Sequence, residues 1–386
     1  MSEDHLIQLR VTDRRLSRQL VFLVIAACGC RNGPDLPECG DATLLTVGPL
    51  AASDFVSIVP LGNLNPSGHT FPTDHLYLYL PAPVPPSSAP AVVSLVSPGH
   101  VWITNVQTHS SPTPPAYQDW TVSLAPCKDI QFYFGHVSQL ASSVAAQVGS
   151  VDSNCDEYDT GGRHFRNCGK NVNIELQAGE PLGQAGGHDG QYALDFGAQD
   201  DRGKLAYVDP SRLRSEQLHV ICPPDMFAPA VHDDLVNRLG SYDGTHQRTV
   251  EPRCGAVMQD IAGTTQGVWY RQGAPSSPED PHLALVHDNV DPTIPVFSVG
   301  TSIPTLSSGV YTFTVAASGT SNRDFGDVSA TGIYCWDLRY FYSATGLGRL
   351  VASYNATSTL SVRFDAATAC GPGPWTVGSE GTVFER

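Results

Sequence analysis

The chain reads as a mainly β protein, with two antiparallel β domains and short helices between them. Three observations predict this. Its 386 residues include 36 glycines and 30 prolines, and both residue types break helix interiors. Apolar and polar residues alternate over short runs, which is the period of half-buried strands. Turn signals separate these runs at the frequent spacing of a β-sandwich or barrel.

The elements follow in chain order. Arg14, Arg15 and Arg18 precede an apolar run at 20–27. A cationic stretch before a short apolar core is a secretory signal, and this run is far shorter than the ~20 residues that span a bilayer. It ends Ile25-Ala26-Ala27-Cys28, which resembles the bacterial lipobox. That resemblance implies cleavage before Cys28 and acylation of it, so that residues 1–28 are removed or lipid-bearing. An ordinary signal cleaved nearby is the alternative.

Residues 29–54, with Gly33-Pro34, Pro37 and Gly40, read as a flexible tether. From Phe55 the spacing predicts strands at 76–80, 91–96, 101–106, 120–124 and 130–134. A helix is expected at 139–148, then a polar loop at 152–170 and strands at 172–176 and 192–196. Residues 201–253 form a mixed connecting segment, with helical spacing and early acids over 225–239. Residues 254–386 return to strands and form a second, sandwich-like domain. Trp269, Tyr270, Tyr334 and Trp336 are expected in its core rather than on a sugar-stacking face.

Ten cysteines point to an oxidising compartment. With Cys28 acylated, nine remain, and four bridges leave one over, assigned to Cys30. Local pairing suggests Cys155–Cys168, Cys222–Cys254 and Cys335–Cys370, although spacing alone does not determine connectivity. No Cys-x2-Cys pair supports a zinc ribbon. The net charge is −16 with only three lysines, so there is no basic surface for nucleic acid. No nucleophile elbow, phosphate loop or dinucleotide fingerprint occurs. Acidic and amide groups over 280–291 and 322–327 lack EF-hand spacing and read as turn formers.

Three segments carry candidate chemistry. They are Gly68-His69-Thr70-Phe71-Pro72-Thr73-Asp74-His75, Tyr133-Phe134-Gly135-His136-Val137-Ser138, and Gly179–Gly187 followed by Ala193-Leu194-Asp195. Their order and spacing over residues 55–200 resemble the lysostaphin-type zinc metallopeptidases, which cut peptidoglycan cross-bridges and peptides. The resemblance implies a duplicated hybrid-motif β fold and a Zn²⁺ ion, or another divalent ion, held by His69, Asp74 and Asp195. It also implies that His136 stabilises the transition state.

Two departures stand out. Ala193-Leu194-Asp195 replaces the family's His-x-His, removing one catalytic histidine and turning a ligand histidine into a carboxylate. Four residues rather than three separate His69 from Asp74, with His75, His164 and His188 as substitutes. The implied function is that of an exported envelope lipoprotein, at the bacterial surface or in the periplasm, hydrolysing cell-wall or protein peptide bonds. A catalytically inactive module that binds peptide or glycan, or a structural surface protein, is the alternative. Membrane contact is expected only through the lipid anchor.

Overall fold

A computed structural model describes residues 35–40, 43–83, 89–114, 116–160, 162–356 and 358–386. Cys28, Cys30 and the signal-like run lie outside them. The first sheet is built from β1 (Ser57–Val59), β2 (His75–Tyr79), β3 (Val93–Val96), β4 (Val101–Ser111), β5 (Tyr117–Cys127) and β6 (Ile130–Leu140). After helix α1 (Ser142–Val148) it continues with β7 (Cys155–Thr160), β8 (Arg163–Leu176), β9 (Pro181–Ala185) and β10 (Ala193–Asp200). The strand order is β1-β2-β10-β6-β5-β4-β8-β7, with β9 bridging β3 and β6. The last strand of the sheet is therefore inserted between β2 and β6 rather than added at an edge.

Alternation assigns the two faces. Leu76 and Leu78, Phe132 and Phe134, and Leu194 and Phe196 are buried on the core side. Side chains one residue out of phase point the other way, which sets His75, Tyr77, Tyr133, Asp195 and Gly197 on the opposite face.

After helix α2 (Pro229–Val236) come β11 (Gly267–Arg271), β12 (Leu283–His287), β13 (Pro295–Val299), β14 (Gly309–Thr312), β15 (Gly332–Tyr340), β16 (Gly346–Tyr354), β17 (Thr359–Ala366) and β18 (Thr382–Glu385). These eight strands close into an antiparallel barrel, β18 returning to pair with β11. The sandwich-like expectation is thus refined to a barrel, which leaves no unpaired edge. Trp269 and Trp336 are fully buried in its core.

Several sequence boundaries shift. The helix expected from 139 begins at Ser142, because Gln139 and Leu140 remain in β6, paired with β9. The helix expected over 225–239 is broken into a 3₁₀ turn (Pro223–Met226) and α2. Pro229 has no N–H to continue a helix but suits its first turn. The loop expected at 152–170 is a hairpin, with Cys155 directly opposite Cys168 and bridged to it. Its polar composition hid the period of two.

The tether expected at 29–54 is also corrected. Cys39 is bonded to Cys127, and Leu45 and Leu50 are buried in the first core. The same core takes Met226, Phe227, Leu235 and Leu239 from the connecting segment. Cys222–Cys254 and Cys335–Cys370 complete the four disulfides. The described residues cluster as a single compact unit, and a seam of Phe71, Val268, Tyr270 and Val286 joins first sheet to barrel. Among the described residues no helix is long and apolar enough to cross a membrane.

The Cys39–Cys127 bridge closes a loop across 88 positions. Its removal by Cys39→Ser/Cys127→Ser is expected to cost about 2–5 kcal/mol, read from urea unfolding midpoints. An unchanged midpoint would show that the packing of Leu45 alone holds this segment.

Candidate metal centre

Three strands place the central side chains in two cross-strand ranks. In the first, His75 of β2 lies opposite Gly197 of β10, which lies opposite Tyr133 of β6. In the second, Tyr77 lies opposite Asp195, which lies opposite Gly135. Each rank carries one glycine, and each glycine makes room. A Cβ on Gly197 would sit 2.2 Å from the Tyr133 ring, so the ring leans across the missing side chain. A Cβ on Gly135 would lie 3.1 Å from the Asp195 carboxylate.

A bulge aims His136. Between the pairs Trp120–Val137 and Val122–Phe134, β5 advances two residues while β6 advances three. At the same point β6 leaves β10 and begins to pair with β9. His136 absorbs the extra residue with φ +61°, a left-handed conformation uncommon outside glycine. Bulges of this kind re-aim a side chain out of the pleat. Here the ring turns towards the strand β10 carboxylate.

The polar contacts converge on Asp195. Its Oδ2 lies 3.5 Å from His75 Nε2 and 3.4 Å from His136 Nε2. The far nitrogen of each ring is held by a second acid: His75 Nδ1 donates to Asp74 at 2.9 Å, and His136 Nδ1 to Asp119 at 2.5 Å. The Tyr133 hydroxyl donates to the same Asp74 oxygen at 3.2 Å. His69, on the loop before β2, lies with its ring centroid 5.7 Å from that of His75. His109 Nδ1 approaches Asp119 from the other side at 3.6 Å. These groups open onto a cleft of about 1070 Å³ between the sheet and the barrel.

Of the residues singled out in the sequence, His69, Asp195 and His136 share this cleft. Asp74 does not meet Asp195 directly, because the His75 imidazole stands between them. His75 therefore takes the place expected of Asp74, and Asp74 orients it. Of the other substitutes, His164 is paired with Asp159 on the hairpin surface, and His188 lies beside Tyr117. Sequence reasoning missed Asp119 and His109. Neither stands in a recognisable motif, and the only signal was an acid placed inside an alternating strand.

Electrostatics separate the histidines. Burial, assisted by the neighbouring His75, lowers His69 to about 4, so it is neutral at neutral pH. Burial also opposes charge on His136, but Asp195 and Asp119 outweigh it and raise the group to about 9. His75 is raised in the same way by Asp195 and Asp74. For Asp74, burial pushes up but His75 prevails, holding it at about 2. Burial drives the Tyr133 hydroxyl far above its usual range, so it remains a donor.

Three buried atoms of this His–Asp network have no hydrogen-bond partner: His75 Nε2, Asp195 Oδ1 and Asp119 Oδ1. Buried polar atoms of native proteins are rarely left so, and both atom types ligate divalent metals. The 3.5 Å from His75 Nε2 to Asp195 Oδ2 is close to the edge of a tetrahedron with bonds of about 2.0–2.1 Å. Carboxylates on the far nitrogens are the usual outer support of ligand histidines. His75 Nε2 and Asp195 are therefore a fitting pair of donors for a divalent ion. Among the described residues, the one group of three His, Cys, Asp or Glu side chains whose ligand atoms all lie within 4.8 Å of one another is His109, Asp119 and His136; His69, His75 and Asp195 are spread more widely. In the tighter group His136 Nδ1 already donates to Asp119.

Comparison with protein-family models, curated proteins and solved structures gave no match.

The charge pattern and the crowding at Gly197 each lead to a measurable outcome. In the metal-free protein, raised His136 stabilises the fold fully below its ordinary 6.5 and loses that contribution as pH rises through about 9. Lowered His69 acts oppositely, its folded form losing stability as pH falls from 6.5 to about 4. Melting temperatures across pH 4–10 should therefore fall on both sides of about 6.5. His136→Gln should flatten the alkaline limb and His69→Gln the acid one; limbs that persist would assign them to other groups. Separately, Gly197→Ala should push Tyr133 off Asp74 and cost about 1–3 kcal/mol, measured by denaturant unfolding.

Proposed function

We propose that the protein is a metal-dependent hydrolase of peptide bonds that works outside the cytoplasm. The observation that carries this reading is His75, held by Asp74 at Nδ1 and bare at a buried Nε2 that faces Asp195. His75, Asp195 and neutral His69 would hold the ion, zinc being the expected metal. When bound, it would lower the pKa of a water molecule and polarise the scissile carbonyl.

The chain's own residues supply the rest. Asp74 and Tyr133 set the His75 ring in one orientation. His136, protonated at neutral pH and braced by Asp119, presents a cationic N–H to oxygen charge that develops beside Asp195. The cleft between sheet and barrel, about 1070 Å³, has room for a segment of peptide. The segment order shared with lysostaphin-type peptidases supports a cell-wall or protein substrate. The signal-like run ending at Cys28 and the four disulfides support export, with a lipid anchor on Cys28.

Ala193 favours a second reading. It stands two residues before Asp195 on the same face of β10, where the resembled family has a catalytic histidine. A site that binds metal and peptide without turnover would express that loss.

Purified full-length protein should bind about one zinc ion per chain and cleave cell-wall or peptide substrates in a chelator-sensitive manner. His75→Ala should abolish both properties, and Asp74→Asn should weaken zinc binding about 10–100-fold. Bound zinc without turnover on either substrate class would select the binding module. Absence of zinc from wild type and undiminished activity in His75→Ala would each sink the metal reading.

A further inference from the structure

A second cluster of metal-binding side chains spans β6, β5 and β4, next to the β2 and β10 strands that carry His75 and Asp195. Strand pairing builds it. His109 of β4 stands directly opposite Asp119 of β5, and His136, at the β6 bulge, reaches the same carboxylate. Ligand atoms of the three lie within 4.8 Å of one another, the only such set among the described residues.

The donors suit a divalent cation. The Asp119 side chain is 1% exposed, and its Oδ1 has no hydrogen-bond partner, a condition rare for a buried polar atom. That oxygen lies 3.6 Å from His109 Nδ1, close to the edge of a tetrahedron with metal bonds of about 2.0–2.2 Å. The His109 ring is already held. It stacks on Phe165 with centroids 4.9 Å apart, and its Nε2 meets the Tyr158 hydroxyl at 3.4 Å. Donation from Nε2 to that oxygen leaves the Nδ1 lone pair facing Asp119, the outer support usual for a ligand histidine. His109 and His136 both line the cleft, which gives an ion a way in and leaves a position for water.

One bond must yield. His136 Nδ1 donates to Asp119 Oδ2 at 2.5 Å, closer than two ligands of one tetrahedral ion stand. An ion bound through Asp119 Oδ1 takes the His136 Nδ1 lone pair, and the proton on that nitrogen passes to solvent. Binding here competes with a proton, whereas His75 Nε2 stands bare.

We propose that His109, Asp119 and His136 form a second, weaker site for a divalent ion, one that fills only at higher zinc concentration and shares His136 with the hydrolytic site. The site rests on its own three donors. Its consequence rests on the hydrolase reading above: an imidazole held by this ion is no longer the one that serves oxygen charge beside Asp195, so the two uses of His136 exclude each other.

Equilibrium dialysis of the full chain against rising zinc, with bound metal counted by elemental analysis, tests it. Wild type should take up a second equivalent above the concentration that fills the His75 site. His109→Ala and the shape-conserving Asp119→Asn should lose that equivalent and keep the first, and His75→Ala should lose the first and keep the second. His164→Ala removes an exposed histidine paired with Asp159 on the neighbouring hairpin, and should change neither. Excess zinc should lower chelator-sensitive turnover in wild type and spare it in His109→Ala. Circular dichroism and disulfide mapping check that each variant folds.

A second equivalent retained in both His109→Ala and Asp119→Asn, or lost equally in His164→Ala, would overturn the site and leave the His75 reading standing. Wild type that saturates at one ion, removed by His75→Ala alone, would do the same. A single ion removed by His109→Ala and kept by His75→Ala would support this site and sink the earlier one. Turnover undiminished at zinc concentrations that fill the second site would overturn the sharing of His136. Wild type that binds no zinc would overturn both sites together.

Discussion

The insertion of β10 between β2 and β6 is the constraint on which the site depends. An antiparallel neighbour on each side fixes both its register and its facing. Asp195 is thereby set between Tyr77 and Gly135, with Gly197 between His75 and Tyr133. A slip of one residue would turn Asp195 into the apolar core and Phe196 into the cleft. Leu194 and Phe196, both buried, oppose that slip with the hydrophobic free energy of two large side chains. The core therefore holds the polar site in register, and the glycines let large or charged neighbours share a narrow strip of sheet.

Packing so many charges together demands compensation. Asp74, Asp119 and Asp195 alternate with His75, His136 and His109, each acid within reach of an imidazole. Buried charges are tolerated when paired and hydrogen-bonded and are costly when one partner is missing. This alternation explains why His136 and His75 are raised while Asp74 is lowered. It also explains the division of roles. Among the described residues no carboxylate is bonded to His69, which is neutral. His136, between two acids, remains a cation. A divalent ion entering beside Asp195 would replace protons in this network, so binding should release them.

The two parts of the molecule are chemically distinct and mechanically joined. Each has its own apolar core, but the seam around Phe71 belongs to both. Arg248 strengthens the junction, donating to the Pro252 and Asn289 carbonyls from a buried position. Glu279 lies at the same junction, pushed up to about 7 by burial and facing the charge of Asp74. The cleft exists only because barrel and sheet are held in this relation, and its wall includes residues from both.

The mainly β class was legible from composition and alternation, because strand faces are a local property with a period of two. The paired cysteines at 155 and 168, 222 and 254, and 335 and 370 were legible as near neighbours in sequence. Cys39 and Cys127 were not, since nothing local joins residues so far apart. The segments around His69, His136 and Asp195 stood out because their order and spacing resemble the motifs of lysostaphin-type peptidases. Which side chains gather around Asp195 did not follow from them. Asp74 and His75 are adjacent in the chain, and only the direction of β2 decides which faces Asp195. His136 reaches the site through a bulge, and Asp119 reaches His136 through strand pairing, both consequences of register. Barrel closure joins Tyr270 to Glu385, more than a hundred positions on, and the grip on Phe71 reaches Glu279, some two hundred positions away. The sequence by itself determined which residue types are available and which face of each strand they occupy, because these depend on nearest neighbours along the chain. Tertiary structure decided which of them meet, because convergence depends on strand order and on the packing of one core against another.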